Sequence, residues 1–274
     1  MKENFFTILL VLCVLSYPCF AFELEELGEK LEQTGLKETL EEAVGIKLDT
    51  VTNYLNWETI NVSFIADMLS TTDAMGRKVQ VDSKVYKKGI TDIRIDVKGS
   101  IMTQKGKRPI ELVDFYMLRY PLKKEAFIAL PRRGTYMKLD PEKGRKMLAD
   151  LQERLDDKKA KVEKKESLGK EQMGGYLCEK VHILMTLPNG TKSDINAWLA
   201  EDLKGFPVKI VSRSTTRRGI TVDNTTTFNN IEKKVPAKSL FVIPEDYIKC
   251  KNIIGLTTRG TRGKGINKRE GKKK

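Results

Sequence analysis

Histidine is almost missing from this chain: His182 is the sole one in 274 residues. Cysteine is nearly as scarce, with four residues and no Cys-x-x-Cys spacing. A structural zinc or haem site needs several such ligands, so the reading contains no metal. His-Glu-x-x-His, Gly-x-Ser-x-Gly and Gly-x-x-x-x-Gly-Lys-Ser/Thr are also absent. No motif therefore supplies a metal-bound base, an activated serine or a phosphate-cradling loop. Carboxylates are plentiful but lie in charged runs with no marked pair. His182 falls between Val181 and Ile183, in the opposite phase of a strand, as a polar residue on a solvent or cavity face would. The chain reads as non-catalytic, with no cofactor.

Long apolar runs are missing too, except at the start. Phe5 to Leu15 is an apolar core behind Lys2, and Tyr17-Pro18-Cys19-Phe20-Ala21 leads to the acidic Phe22-Glu23-Leu24-Glu25. Residues 1–21 read as a signal peptide cleaved near Ala21, which makes the protein periplasmic or otherwise exported. The apolar run is too short to span a bilayer comfortably. Two cysteines, Cys178 and Cys250, lie beyond that cut. In an oxidising compartment they form either a disulfide or two buried thiols, and the sequence leaves both open.

What the chain has in excess is positive charge. The formal net charge is +13, of which residues 251–274 hold +8, with nine Lys or Arg against Glu270. This Gly-, Lys- and Arg-rich end includes Arg259, Arg262, Lys264, Lys268, Arg269, Lys272, Lys273 and Lys274 and shows no periodicity, so it reads as a disordered tail. In an exported protein the nearer polyanion is a membrane or cell-envelope surface. The tail lacks aromatics to stack on bases, which argues against nucleic acid.

The body, residues 22–250, reads as one α+β domain. Leu24, Leu27 and Leu31, then Leu36, Leu40, Ala43 and Val44, follow helical spacing and predict N-terminal helices up to about Leu55. From Trp57 the period becomes two. Ile60, Val62, Phe64, Ala66 and Met68 alternate with polar residues, and so do Val79, Val81 and Val85, then Ile93, Ile95 and Val97. Further short strands cover 111–120, 125–130 and 134–139. Asp140-Pro141 then reads as the capped start of a helix with Met147, Leu148, Leu151 and Leu155 on its apolar face. The charged run 156–170 reads as the far end of that helix, projecting into solvent. Leu177 to Leu187 alternates again, Asn189-Gly190 marks a hairpin, and strands follow around Trp198, Val208 and the Thr-rich 220–228. About ten short antiparallel strands result.

Several short stretches together resemble a known fold. They are Gly174-Gly175-Tyr176-Leu177-Cys178-Glu179-Lys180, Trp198, Phe206-Pro207-Val208-Lys209 and Leu240-Phe241-Val242-Ile243-Pro244-Glu245-Asp246-Tyr247. The chain from Trp57 to Tyr247 resembles an uncharacterised family of exported bacterial proteins with a fold similar to the periplasmic outer-membrane lipoprotein carriers (LolA-like). That resemblance implies a single curved antiparallel sheet, a half-open barrel covered by helices, and in this chain the N-terminal helices and the inserted mid-chain helix are expected to cover it. It further implies an apolar cavity for a lipid or lipoprotein acyl chain, and no catalytic residues. The expected lid is Met147, Leu148, Leu151 and Leu155, and the expected sheet-side contacts are Met185 and Trp198. A monomer is expected.

Overall fold

The computed structural model describes residues 57–74, 77–104, 110–111, 114–139, 161–186, 190–215, 217, 219–251 and 255–256. The expected N-terminal helices, the start of the mid-chain helix with its lid residues, and the basic tail residues from Arg259 onward all lie outside the described residues.

Thirteen strands form one open sheet among the described residues. They are β1 (Phe64–Ala74), β2 (Arg77–Lys88), β3 (Asp92–Gln104), β4 (Ile110–Glu111), β5 (Phe115–Tyr120), β6 (Glu125–Leu130), β7 (Thr135–Leu139), β8 (Lys161–Met173), β9 (Tyr176–Thr186), β10 (Lys192–Ala200), β11 (Phe206–Thr215), β12 (Thr221–Glu232) and β13 (Ile248–Cys250). The order is β13-β7-β6-β5-β3-β2-β1-β12-β11-β10-β9-β8, with β4 beside β3. Two meanders, β1 to β7 and β8 to β12, therefore meet where β1 pairs with β12. The sheet is mixed rather than wholly antiparallel, because β13 runs parallel to β7.

The connections are local in origin. Met173 and Tyr176 are joined by Gly174 and Gly175, whose φ values of +60° and +84° only glycine adopts without strain; a tight hairpin follows. Three other hairpins share one device, a three-residue 3₁₀ turn closed by a left-handed residue. Lys124, Gly134 and Lys204 hold that position, their N–H groups donating to the carbonyls of Pro121, Pro131 and Glu201.

One expectation is overturned outright. Residues 161–173 are not the far end of a helix but the edge strand β8, hydrogen-bonded to β9. An edge strand is wetted on both sides and needs no apolar period, and Lys and Glu along it discourage pairing with other chains. The charge run thus carries the signature of an exposed edge as well as that of a solvated helix.

Directly opposed residues in a ladder share a face, so the register sorts the side chains. The inner face carries Phe64, Ala66 and Met68 of β1, Val79, Val81 and Val85 of β2, and Ile93, Ile95 and Val97 of β3. It continues through Phe115 and Met117 to Ile128 and Met137. These residues belong to the main core. Trp57, Phe64, Phe206 and Phe228 fill one end of it edge to face, with ring centroids 4.7–5.9 Å apart. Each such pair adds about 1 kcal/mol beyond area burial.

The outer face of β5 to β7 is buried as well. Tyr116, Leu118 and Ala129 pack under Phe241 and its neighbours Leu240, Ile243 and Tyr247. This strap is held by Arg94, which donates to the Leu240 carbonyl at 2.8 Å, pairs with Asp96 and lies over the Tyr116 ring. The chain then pairs with β7 as β13. Cys250 and Leu256 are buried in the main core, and Thr135 Oγ1 donates to the Leu256 carbonyl at 2.9 Å. Leu256 thus packs into the main core beyond Cys250.

Candidate functional site

The apolar residues of the sheet gather in two separate clusters. Toward the β8 side, Val181, Ile183 and Met185 of β9 and Ile195 of β10 make a second apolar cluster, bordered by Val162, Leu199 and Ile210. Met185, expected on the ligand side, lies in it and is 2% exposed.

Trp198 does not join it. The β9–β10 register runs unbroken from Cys178 opposite Ala200 to Thr186 opposite Lys192. It sets Met185 against Ser193 and Trp198 against Lys180, an odd number of residues apart, so the pleat sends them to opposite faces. Trp198 stands instead on the face opposite Met185, between the Lys180 and Lys209 ammonium groups, 4.9 and 5.0 Å from its ring, with its indole N–H donated to the Glu171 carboxylate. It is buried, at 7% exposed, and belongs to the main core cluster, with the long lysine stems lying over its ring.

At the opposite end of the inner face the sequence hid a polar constellation. Lys87 and Arg119 stand on either side of Ile93 in one cross-strand row. Lys87 is wholly buried, and its Nζ donates to the carbonyls of Glu58 at 2.8 Å and Gly89 at 2.5 Å. Burial pulls its pKa down to about 8. The carboxylate of Glu58 receives the Arg119 guanidinium. Two cationic side chains, from β2 and β5, thereby grip the 3₁₀ turn Trp57–Thr59. Gly89 has φ +54°, and a Cβ there would meet Asn61 Oδ1 at 2.8 Å. The signal was present in the phase of β2: Val79, Val81, Ser83, Val85 and Lys87 fall on one parity, which marks Lys87 as inward-facing.

His182 lies on the outer face between two carboxylates, Nδ1 at 3.1 Å from Glu166 of β8 and Nε2 at 3.0 Å from Asp194 of β10. Lys164 also contacts Glu166 at 2.7 Å. These contacts tie three strands together. No nucleophile stands beside it in these contacts, and no group of three or more potential metal ligands occurs among the described residues. Cys178 and Cys250 are both buried, and no disulfide joins them. Cys178 Sγ lies 3.5 Å from the Tyr176 carbonyl.

Comparison with known proteins adds the following. No curated protein matches the chain. A LolA superfamily protein of Nitrosomonas europaea is similar at 10% identity and a TM-score of 0.30, covering 70% of this chain and 97% of its own. LprF of Mycobacterium bovis is similar at 14% identity and 0.33, covering 70% and 92%. MucB, solved with MucA from Pseudomonas aeruginosa, is similar at 14% identity and 0.34, covering 72% and 62%. Residues 91–204, from the turn before β3 to the turn after β10, match the family model described as a domain of unknown function, DUF4412.

Proposed function

We propose that this protein is a non-catalytic binding protein of the bacterial envelope that holds a lipid or other acyl-chain ligand against the inner face of its sheet. The observation that carries the reading is the second apolar cluster, Val181, Ile183, Met185 and Ile195, which stands apart from the main core. A packed core explains the aromatic end of the inner face. An acyl chain explains why apolar residues continue across β9 and β10, far from Trp57 and Phe206. Each methylene removed from water there contributes about 0.8 kcal/mol.

In this reading the leader directs export, and Met147, Leu148, Leu151 and Leu155 close over the ligand. The similarity to a LolA superfamily protein agrees with it. The basic tail tethers the protein to an anionic envelope surface, where salt would screen it.

The test is native mass spectrometry of the exported, mature chain, followed by extraction of whatever it carries. A stoichiometric acyl lipid supports the proposal. A clean apoprotein that also ignores fluorescent fatty-acid probes overturns it. A chain ended after Leu256, which keeps that buried residue, should still bind lipid but lose salt-sensitive attachment to anionic vesicles.

A further inference from the structure

The inner face is not apolar throughout. Between Val79 and Val81 of β2 and the cluster on β9 and β10, the register places a band of hydroxyl and amide side chains across four strands. On β1 and β12, Ser70 Oγ and Thr226 Oγ1 are 2.9 Å apart, and Thr72 Oγ1 donates to Asn224 Oδ1 at 2.7 Å. Asn224 stands opposite Ser212 of β11, which in turn stands opposite Ile195 of the apolar cluster. In the next row Ser214 meets Ser193, their oxygens 2.8 Å apart, and Ser193 stands opposite Met185.

Most of these groups are out of water. Ser193, Ser212 and Ser214 are each at most 3% exposed. A buried hydroxyl is costly unless its hydrogen is given to an acceptor. Two hydroxyls facing one another use only one of their two hydrogens, and an Asn that accepts through Oδ1 keeps its amide N–H groups to donate. The band is therefore rich in donors. Beside it on β2, directly opposite Met68, Ser83 is more than nine-tenths buried and its Oγ has no hydrogen-bond partner among the described residues. No residue of the band is charged, so it suits a neutral acceptor rather than a phosphate or carboxylate.

We infer that this band is a subsite for the ester carbonyls of a diacyl lipid, whose two chains lie to either side of it, one over Val79 and Val81 and the other over Val181, Ile183 and Met185. The inference rests on the function proposed above and names its ligand more closely. The carbonyl oxygens accept from the spare hydroxyl and amide hydrogens, and Ser83 gains the partner it lacks.

The experiment compares two probes on the mature, exported chain: a dioleoyl diester of glycerol and the diether with the same chains, which has no carbonyl. The wild type should bind the diester about tenfold more tightly, the worth of one to two net hydrogen bonds. The double variant Ser83→Ala, Ser212→Ala should bind both equally, at the wild-type diether affinity. Retained diether binding shows that the variant is folded. Equal binding of both probes by the wild type, or a preference that survives in the variant, overturns the subsite but leaves acyl-chain binding standing. Binding of neither probe by the wild type overturns the proposed function, and the subsite with it.

Discussion

Lys87 Nζ donates to the carbonyl oxygen of Glu58 at 2.8 Å in a setting where the ammonium is wholly buried. Its pKa falls from the ordinary 10.5 to about 8 because burial strips water from the charge. Below about pH 8 both the folded and unfolded chains hold this proton, and the penalty is whole. Between about 8 and 10.5 the unfolded chain holds more protons, so stability rises with pH. The full gap corresponds to about 3 kcal/mol. In urea titrations from pH 7.5 to 9.5, the wild type should gain stability relative to Lys87→Met. A variant that tracks the wild type across that range would refute the assignment.

The neighbouring contact should fail differently. Removing Arg119 leaves the Glu58 carboxylate buried without its guanidinium. Arg119→Ala should therefore cost about 3 kcal/mol, and adding Glu58→Gln should recover part of it by removing the stranded charge. Chemical denaturation of the single and double variants measures this. Equal losses in both would mean that the charge is not what matters.

His182 predicts a local effect. His182→Ala removes the link between Glu166 on β8 and Asp194 on β10, so amide exchange in 161–173 should accelerate while the β1–β3 amides stay protected. Hydrogen bonds from Lys164 and then from His182 hold the Glu166 carboxyl below the usual glutamate range. A depressed carboxyl stabilises fully above that range and loses its effect as pH falls through the folded value. Protection of β8 should accordingly weaken in acid before that of β1. Uniform loss across the sheet would count against the link.

The thiols make a simple chemical prediction. Burial raises the Cys178 pKa, which keeps it in the unreactive thiol form. Native protein should resist alkylation at Cys178 and Cys250, and protein in urea without reductant should take up two labels. A species that takes up none until reduced would show a disulfide.

Much of the sheet was legible in advance because its cause is local. Alternation in 60–68, 79–85, 93–97 and 177–187 comes from the strand period itself, and Gly174-Gly175 is dictated by backbone sterics. Met185 could be placed on the apolar side for the same reason. The turns after β5 and β6 were marked by proline or glycine, though their common 3₁₀ form was not.

Three things were decided only by tertiary structure. The run 161–173 is strand because β9 offers it a ladder of partners; its own residues, charged on both sides, distinguish neither helix nor strand. Trp198 stands on the face opposite Met185 because pairing with Lys180 fixes its phase, and hydrophobicity alone does not tell one face of a strand from the other. The grip of Lys87 and Arg119 on Glu58 joins residues from three separate segments. Periodicity reports which side of its own strand a residue takes, but which side is inside, and what waits there, depends on how distant strands are brought together.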